Sequence, residues 1–313
     1  MKSFVKYSVR VILMALAAVC ILFILIVTAG GGAFSHTYQS VIQDKYDFLR
    51  KTESPRIIIV GGSSAAYGID ERLLEQETGK TVVNLGLYGG LGNLFQTQLL
   101  KGNIGSGDII VLAYEYNWID SDSFEALISD MVMSGIDGRI DMYRYIPLRN
   151  WPQVIGYLPD FLVKKIQYTK APGEDVHHTL FDAEGRLTQK RDEWIAGDYF
   201  ENEAVQNPVD LTEKEISKES ADYLRRLAAY ADREGALICM AAPPLLDLAA
   251  EGDAASFDAF AQRAQETTGI PYISTPSEYI YPIDLMYDTV YHCNDRGAQK
   301  RTMQLAEDLK KLD

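Results

Sequence analysis

The sequence predicts an α/β fold built on a parallel sheet of about five strands, with one transmembrane helix before it. Short β-branched runs such as Ile57–Val60 alternate with amphipathic helical segments and glycine-containing turns, a pattern typical of βαβ units. An uncharged, apolar run also extends from Val11 to Ala29, which is close to the length that spans a bilayer as a helix. Hydrophobic residues make up 47% of the 313 residues, so a substantial core is expected.

The apolar run near the N-terminus is expected to anchor the chain in a membrane. Lys2, Lys6 and Arg10 precede it, and this basic flank predicts a cytoplasmic N-terminus with the rest of the chain outside. Residues 1–33 are therefore assigned to a cytoplasmic tail and anchor. A cleaved signal peptide is the alternative, because the residues at 28–33 are small. The run is, however, longer than the roughly 7–15 apolar residues of a signal peptide.

Residues 34–54 are expected to form a helix or linker, and residues 55–313 an α/β domain. Apolar β-branched runs define its strands, and amphipathic segments define its helices. A capping box at 212–215 opens the longest of these helices. In chain order we predict strand 56–60, helix 70–78, strand 81–85, helix 94–100, strand 108–113, helix 212–233, strand 236–241, helix 256–268, strand 271–274 and helix 297–311.

Residues 119–210 break the alternation of strands and helices. They are rich in aromatic residues and contain several prolines. We expect an insertion after the third strand, lying over the carboxyl edge of the sheet, where it either covers the core or shapes a substrate groove. The remaining pattern predicts a three-layer α/β/α arrangement of the flavodoxin-like kind.

Charge and cysteine content argue against several classes of partner and cofactor. The formal net charge is −14 and no basic surface is evident, which argues against a nucleic-acid partner. Cys20, Cys239 and Cys293 have no CxxC spacing, so neither a disulfide framework nor a zinc site is predicted. His177 and His178 adjoin two acidic residues, but this segment is typical of an exposed loop. No metal or other cofactor is expected.

Serine, histidine and aspartate occur in positions that suggest acyl chemistry. Gly62-Ser63-Ser64 follows the first predicted strand, which places a serine at the ligand-binding edge of a parallel sheet. Asp288 and His292 lie close together near the C-terminus. We expect Ser64 to be the nucleophile, His292 its base and Asp288 the group that orients the imidazole. Ser63 is expected to be an accessory or turn residue, and a capping role for Ser64 is the non-catalytic alternative.

Three groups are expected to stabilise an oxyanion at this site. They are the backbone N–H groups of Ser64 and Gly86 and the side-chain amide of Asn117, which follows the third strand. Gly86 could instead serve only the geometry of its turn, and Asn117 could serve only to stabilise its loop. Glu115 is a further candidate, because a carboxylate there could tune the site or orient a sugar. The neighbouring aromatic residues suit either sugar stacking or the core.

These segments resemble the sequence blocks of the SGNH, or GDSL-like, hydrolase superfamily. Gly62-Ser63-Ser64 stands where that superfamily has Gly-Asp-Ser, and Gly86 matches the oxyanion glycine of its second block. Asn117 keeps its place in the third block, although the flanking glycine and aspartate are absent. Asp288 and His292 match the last block, Asp-x-x-His, with one additional residue between them.

The resemblance covers about residues 55–118 and 212–311. With its anchor, the chain is similar to the extracytoplasmic branch that contains the teichoic acid D-alanyl transfer and alginate O-acetylation proteins. It implies a serine esterase or O-acyltransferase that acts on an acylated cell-envelope polysaccharide or teichoic acid-like polymer. Proteins of this branch often act beside a multi-pass membrane acyltransferase, which is the partner that the resemblance implies. The alternatives are a non-catalytic SGNH-like binding or assembly module and a soluble secreted esterase.

Overall fold

The computed structural model describes residues 2–29, 31–119, 129–195 and 208–312. Within them, four strands form a parallel sheet in the order β2-β1-β3-β4, which confirms the predicted α/β class. All residues of β1 and β3 are buried, as expected for β-branched runs covered on both faces. The strands are β1 (Arg56–Val60), β2 (Thr81–Asn84), β3 (Ile109–Leu112) and β4 (Leu237–Met240).

The sheet has one strand fewer than the five that the sequence suggested. The segment at 271–274 meets the sheet only through one parallel bridge, between Met240 and Tyr272. Two further parallel pairs are only two residues long. They join Val209–Asp210 to Ala250–Glu251 and Leu245–Leu246 to Ile280–Tyr281.

Eleven helices are present in the described part of the chain. The predicted capping box at 212–215 is wrong, because the hydroxyl of Ser217 accepts the Ser220 N–H at 3.2 Å and the helix begins after it. The helices are α1 (Lys2–Thr28), α2 (Ile42–Lys51), α3 (Ser63–Gly68), α4 (Glu71–Thr78), α5 (Asn93–Gln98), α6 (Ser129–Gly135), α7 (Trp151–Lys170), α8 (Val176–Leu180), α9 (Lys218–Arg233), α10 (Ala254–Thr268) and α11 (Asp295–Leu309).

Helix α1 is long and apolar enough to cross a membrane. Its candidate span, Phe4–Thr28, has 25 residues and a mean hydropathy of 3.2 over its most apolar window. Most of its apolar side chains are exposed, but Ile26 and Val27 at its end are buried in the core of the protein. Helix α2, within the predicted helix or linker, buries Ile42, Tyr46 and Leu49 in the same core.

The region predicted as an insertion contributes α6, α7 and α8 in its described part. Residues 120–128 and 196–207 of that region lie outside the described residues. Helix α6 packs against α7 and against the turn at Tyr38–Val41, so this region lies against the residues that precede the sheet.

Candidate active site

A cavity of about 370 Å³ lies at the carboxyl edge of the sheet. Ser63, three residues after β1, and Tyr88, four residues after β2, both line it, so its position matches the edge where open α/β sheets bind ligands. Helix α6 adds Met131, which places the region after β3 on its rim. The lining residues are Tyr38, Gln39, Ser63, Tyr67, Tyr88, Met131 and His292.

His292 and Asp288 form the pair that the sequence predicted. Nδ1 of His292 lies 2.6 Å from Oδ1 of Asp288. The hydroxyl of Thr289 accepts the backbone N–H groups of Tyr291 at 3.2 Å and His292 at 3.1 Å, and this turn brings the two side chains together. Because a carboxylate accepts the Nδ1 proton, Nε2 of a neutral imidazole is the atom that can act as a base.

The imidazole plane is fixed by an aromatic neighbour. The rings of His292 and Tyr67 stack with centroids 4.2 Å apart and planes 7° from parallel. Burial, with a smaller contribution from the Asp288 charge, raises the pKa of Tyr67 to about 12. The guanidinium carbon of Arg191 also lies over the Tyr67 ring, 5.5 Å from its centroid. The Tyr67 hydroxyl therefore stays protonated at neutral pH, and the ring remains a neutral support for the imidazole.

The two adjacent serines have different surroundings. Ser63 is partly exposed and lines the cavity together with His292. Ser64 is fully buried, and its Oγ has no hydrogen-bond partner among the described residues. Its backbone is held on both sides, by Glu115 Oε1 at 3.1 Å from the N–H and by an Arg301 nitrogen at 2.5 Å from the carbonyl.

The structure therefore brings Ser63 to the cavity, whereas Ser64 was the expected nucleophile. Consecutive residues of a helix point about 100° apart, so only one of two adjacent serines at the start of α3 can face His292. Within the described chain, no hydrogen bond joins Ser63 to His292. Catalytic hydrogen bonds are often long in unliganded enzymes and shorten when substrate binds.

Two of the three expected oxyanion donors already have acceptors, and the third lines a different cavity. The Ser64 N–H donates to Glu115, and the Gly86 N–H donates to Asn84 Oδ1 at 2.9 Å. Asn117 is exposed and lines a separate cavity of about 230 Å³. Gly86 also has a packing role, because a Cβ at this position would lie 2.5 Å from the Ala65 side chain.

Glu115 lies against the turn that carries the serines. A Cβ on Gly62 would lie 2.7 Å from Glu115 Oε1, so the carboxylate and this glycine pack directly together. The Glu115 charge also adds to the effect of burial in raising the pKa of Tyr291. In this conformation Glu115 therefore positions the serine turn.

Asn84 supports the helix that carries the serines, a role that the sequence did not predict. Its side-chain amide donates to the Ala65 carbonyl at 3.0 Å and to Glu71 Oε1 at 2.9 Å. The backbone carbonyl of Asn84 accepts a hydrogen bond from Lys45 Nζ at 2.9 Å. Burial lowers the pKa of Lys45 to about 8 and raises that of Glu71. A polar residue at the end of a buried strand was the available signal, but its partners are remote in sequence.

The other candidate residues from the sequence make contacts that stabilise the fold. Nε2 of His177 lies 2.5 Å from a carboxylate oxygen of Asp44, and the side chain of His178 lies outside what is described. Tyr116 and Trp118 are buried against Phe260, which leaves neither ring open to a sugar. No group of three metal-ligating side chains occurs in the ranges that the structure describes.

Comparison with models of known protein families and with curated proteins finds no match to this chain. The functional inference consequently rests on two kinds of observation. One is the geometry of Ser63, His292 and Asp288 at the sheet edge. The other is the order of the sequence blocks that contain them.

Proposed function

We propose that this protein is a serine-dependent acyl ester hydrolase or O-acyltransferase of the SGNH type, with Ser63 as its nucleophile. One observation carries the proposal: Ser63 and His292 line the same cavity, while Asp288 holds the imidazole through Nδ1 at 2.6 Å. A hydroxyl, a base and a carboxylate that orients the base are the groups that nucleophilic acyl transfer requires. Ser64 is reassigned to the buried support of the turn.

The reaction proceeds in two steps. The Ser63 Oγ attacks the acyl carbonyl carbon while Nε2 of His292 takes the hydroxyl proton, and the imidazolium is stabilised by Asp288. The same proton then passes to the departing alcohol oxygen, leaving an acyl ester on Ser63. Next, water or a sugar hydroxyl gives its proton to Nε2 and attacks that ester. The bond to Ser63 Oγ then breaks, and Nε2 returns the proton to that oxygen, which regenerates Ser63 and the neutral imidazole. Water as acceptor makes the protein an esterase, and a glycan hydroxyl makes it a transferase.

The cellular setting is also part of the proposal. We infer that α1 is an uncleaved anchor with a cytoplasmic N-terminus, and that the α/β domain acts outside the membrane on an acylated envelope polymer. The burial of Ile26 and Val27 supports an anchor that is retained, because cleavage at 28–33 would remove core residues. The resemblance implies a multi-pass acyltransferase as a partner. The strand order suits a flavodoxin-like, three-layer arrangement.

A non-catalytic binding module is the second candidate, and one observation favours it. The amides of Ser64 and Gly86, which were expected to bind an oxyanion, already donate to Glu115 and Asn84. Loss of one oxyanion donor typically lowers turnover by about 10²–10³-fold. A catalytic site here therefore needs either other donors or release of these two amides when substrate binds.

Hydrolysis of p-nitrophenyl acetate by the full chain in lipid nanodiscs tests the proposal. The full chain is used because the end of α1 belongs to the core. We expect hydrolysis by the parent and its loss in Ser63→Ala and His292→Ala, with folding checked by circular dichroism. Acetyl transfer to soluble glycan oligomers then separates transferase from esterase. Hydrolysis that persists in both variants, or its absence together with absence of covalent labelling, would support the binding module.

A further inference from the structure

Helix α7 exposes a stripe of apolar side chains beside the face that packs on the core. Val154, Leu158 and Phe161 are buried, as expected for a helix that packs against the protein. A stripe beside this buried face is exposed and yet apolar, whereas the exposed surface of a helix is normally polar. We call it the α7 stripe; its exposed members are Leu148 just before the helix, Pro152, Ile155, Pro159, Leu162, Val163 and Ile166.

The end of α1 is held tightly by the same region. The last carbonyls of a helix have no partner within the helix. Here Lys165 Nζ, from α7, lies 3.2 Å from the Ile26 carbonyl and 3.3 Å from that of Val27, and the Gly138 N–H donates to Val27 at 3.1 Å. Lys165 Nζ also forms an ion pair with Asp137 Oδ1 at 2.5 Å. These contacts fix α7 relative to α1.

Aromatic contacts give the height at which α7 begins. The ring of Phe23 in α1 lies 5.4 Å from Trp151, the first residue of α7, and 5.2 Å from Tyr143. Phe23 is thirteen residues beyond Arg10, which is about 20 Å along a helix, and nineteen residues beyond Phe4, about 29 Å. The hydrocarbon layer is about 30 Å thick.

These lengths give the depth of Trp151 in the hydrocarbon layer for two possible positions of the cytoplasmic boundary. If Arg10 marks the cytoplasmic boundary, Trp151 contacts α1 about 10 Å inside the outer boundary of the hydrocarbon layer. If Phe4 marks it, with Arg10 reaching back to the interface, Trp151 lies at the outer boundary itself. In both cases α7 begins where lipid, and not bulk water, surrounds α1.

We propose that α7 lies in the outer leaflet of the bilayer that α1 spans, with the α7 stripe in contact with lipid acyl chains. The inference rests on the proposed membrane span. Lipid is the occupant that the structure favours, because the α7 stripe continues from the exposed apolar surface of α1 at the contact between Phe23 and Trp151. Tryptophan at the boundary and an apolar helical face are typical of interfacial helices.

The arrangement has a consequence for the candidate active site. Helix α6 packs against α7 and contributes Met131 to the cavity that contains Ser63 and His292. A lipid-embedded α7 therefore holds this cavity at a fixed height close to the membrane. A substrate that reaches it has to present its acyl ester near the lipid surface, as a membrane-linked polymer does.

Fluorescence of a polarity-sensitive NBD label tests the proposal on the full chain in nanodiscs. Labels are placed at Ile155→Cys and Leu162→Cys in a Cys20→Ser background. Leu248→Cys is the matched control, since Leu248 and Ile155 are both 48% exposed. Cys239 and Cys293 do not compete for the label, because they are buried and burial raises the pKa of each thiol to about 12.

We expect blue-shifted emission at positions 155 and 162, with quenching by doxyl-labelled lipid at least about twofold stronger than at position 248. Iodide quenching of these two labels that equals the quenching at Leu248 would place α7 in water and overturn the inference. A blue shift without quenching by lipid would also overturn it, by showing that another protein surface covers the α7 stripe.

The native Cys20 separates failure of this inference from failure of the membrane span. Cys20 lies within α1 and is exposed, so its label should be quenched by lipid if α1 crosses the bilayer. Quenching at Cys20 without quenching at positions 155 and 162 contradicts only the lipid contact of α7. Absence of lipid quenching at Cys20 contradicts the span itself, and the placement of α7 with it.

Discussion

Exchange of Ser63 or Ser64 for alanine should separate catalysis from stability at adjacent positions. Ser64 is fully buried, and its Oγ has no hydrogen-bond partner among the described residues. Burial of an unpaired hydroxyl costs about 1–3 kcal/mol, part of which is recovered when the group is removed. The contacts of Ser64 with Glu115 and Arg301 use its backbone and survive the change.

Ser64→Ala is therefore expected to raise the free energy of unfolding by about 1 kcal/mol after the small cavity it leaves is counted. For a domain of this size that corresponds to an increase in Tm of about 2–4 °C. Its ester hydrolysis should stay close to that of the parent. Ser63→Ala should keep its Tm, because the side chain is partly exposed, but lose activity by between about 10³ and 10⁶-fold.

Thermal unfolding followed by circular dichroism, together with p-nitrophenyl acetate hydrolysis, measures both effects on the same nanodisc preparations. Ser63→Thr is a matched control, because it keeps a hydroxyl at the position but changes its packing. Loss of activity in Ser64→Ala with retention in Ser63→Ala would refute the reasoning. It would show that Ser64 rotates into the cavity when substrate binds.

Three further predictions concern the groups around the serine turn. Asp288→Asn should lower kcat by up to about 10⁴-fold with little change in KM, because His292 loses the carboxylate that fixes its tautomer; unaltered steady-state kinetics would contradict this role. Asn84→Ala should lower the free energy of unfolding by about 2–5 kcal/mol, since three side-chain hydrogen bonds disappear from a buried network. Denaturant titration measures this change, and a loss below about 1 kcal/mol would argue against the network. The pKa of Lys45 is about 8 in the folded protein, against an ordinary value of 10.5. Between pH 8 and 10.5 the unfolded chain therefore binds more protons than the folded one. The free energy of unfolding should rise with pH over this range, by up to about 3 kcal/mol. Lys45→Met should lack this rise in pH-dependent melts, and an identical pH profile in parent and variant would exclude the effect.

Local signals in the sequence predicted the sheet and the contact between Asp288 and His292. The β-branched runs identified four strands, since a buried parallel strand needs little beyond continuous apolar residues. Asp288 and His292 were paired correctly because their contact depends on a single turn made by Thr289. The predicted fifth strand is reduced to a single bridge, between Tyr272 and Met240.

The choice between the two serines depended on contacts that the sequence does not encode locally. The rotation of α3 is set by packing of Ala65 against Gly86 and by Glu115 beneath the turn. These partners come from the loops after β2 and β3, far away in the chain. Asn84 was missed for the same reason, because its hydrogen bonds reach segments that no pattern at 81–85 indicates.

Covalent labelling by a fluorophosphonate tests the central claim most directly, because it reports which serine is activated. The full chain in nanodiscs is treated with the probe, digested, and the modified residue is identified by tandem mass spectrometry. We predict modification at Ser63, and its loss in His292→Ala, whose missing imidazole leaves the hydroxyl without a base. Modification at Ser64, or equal labelling of Ser63 with and without His292, would contradict the proposed site.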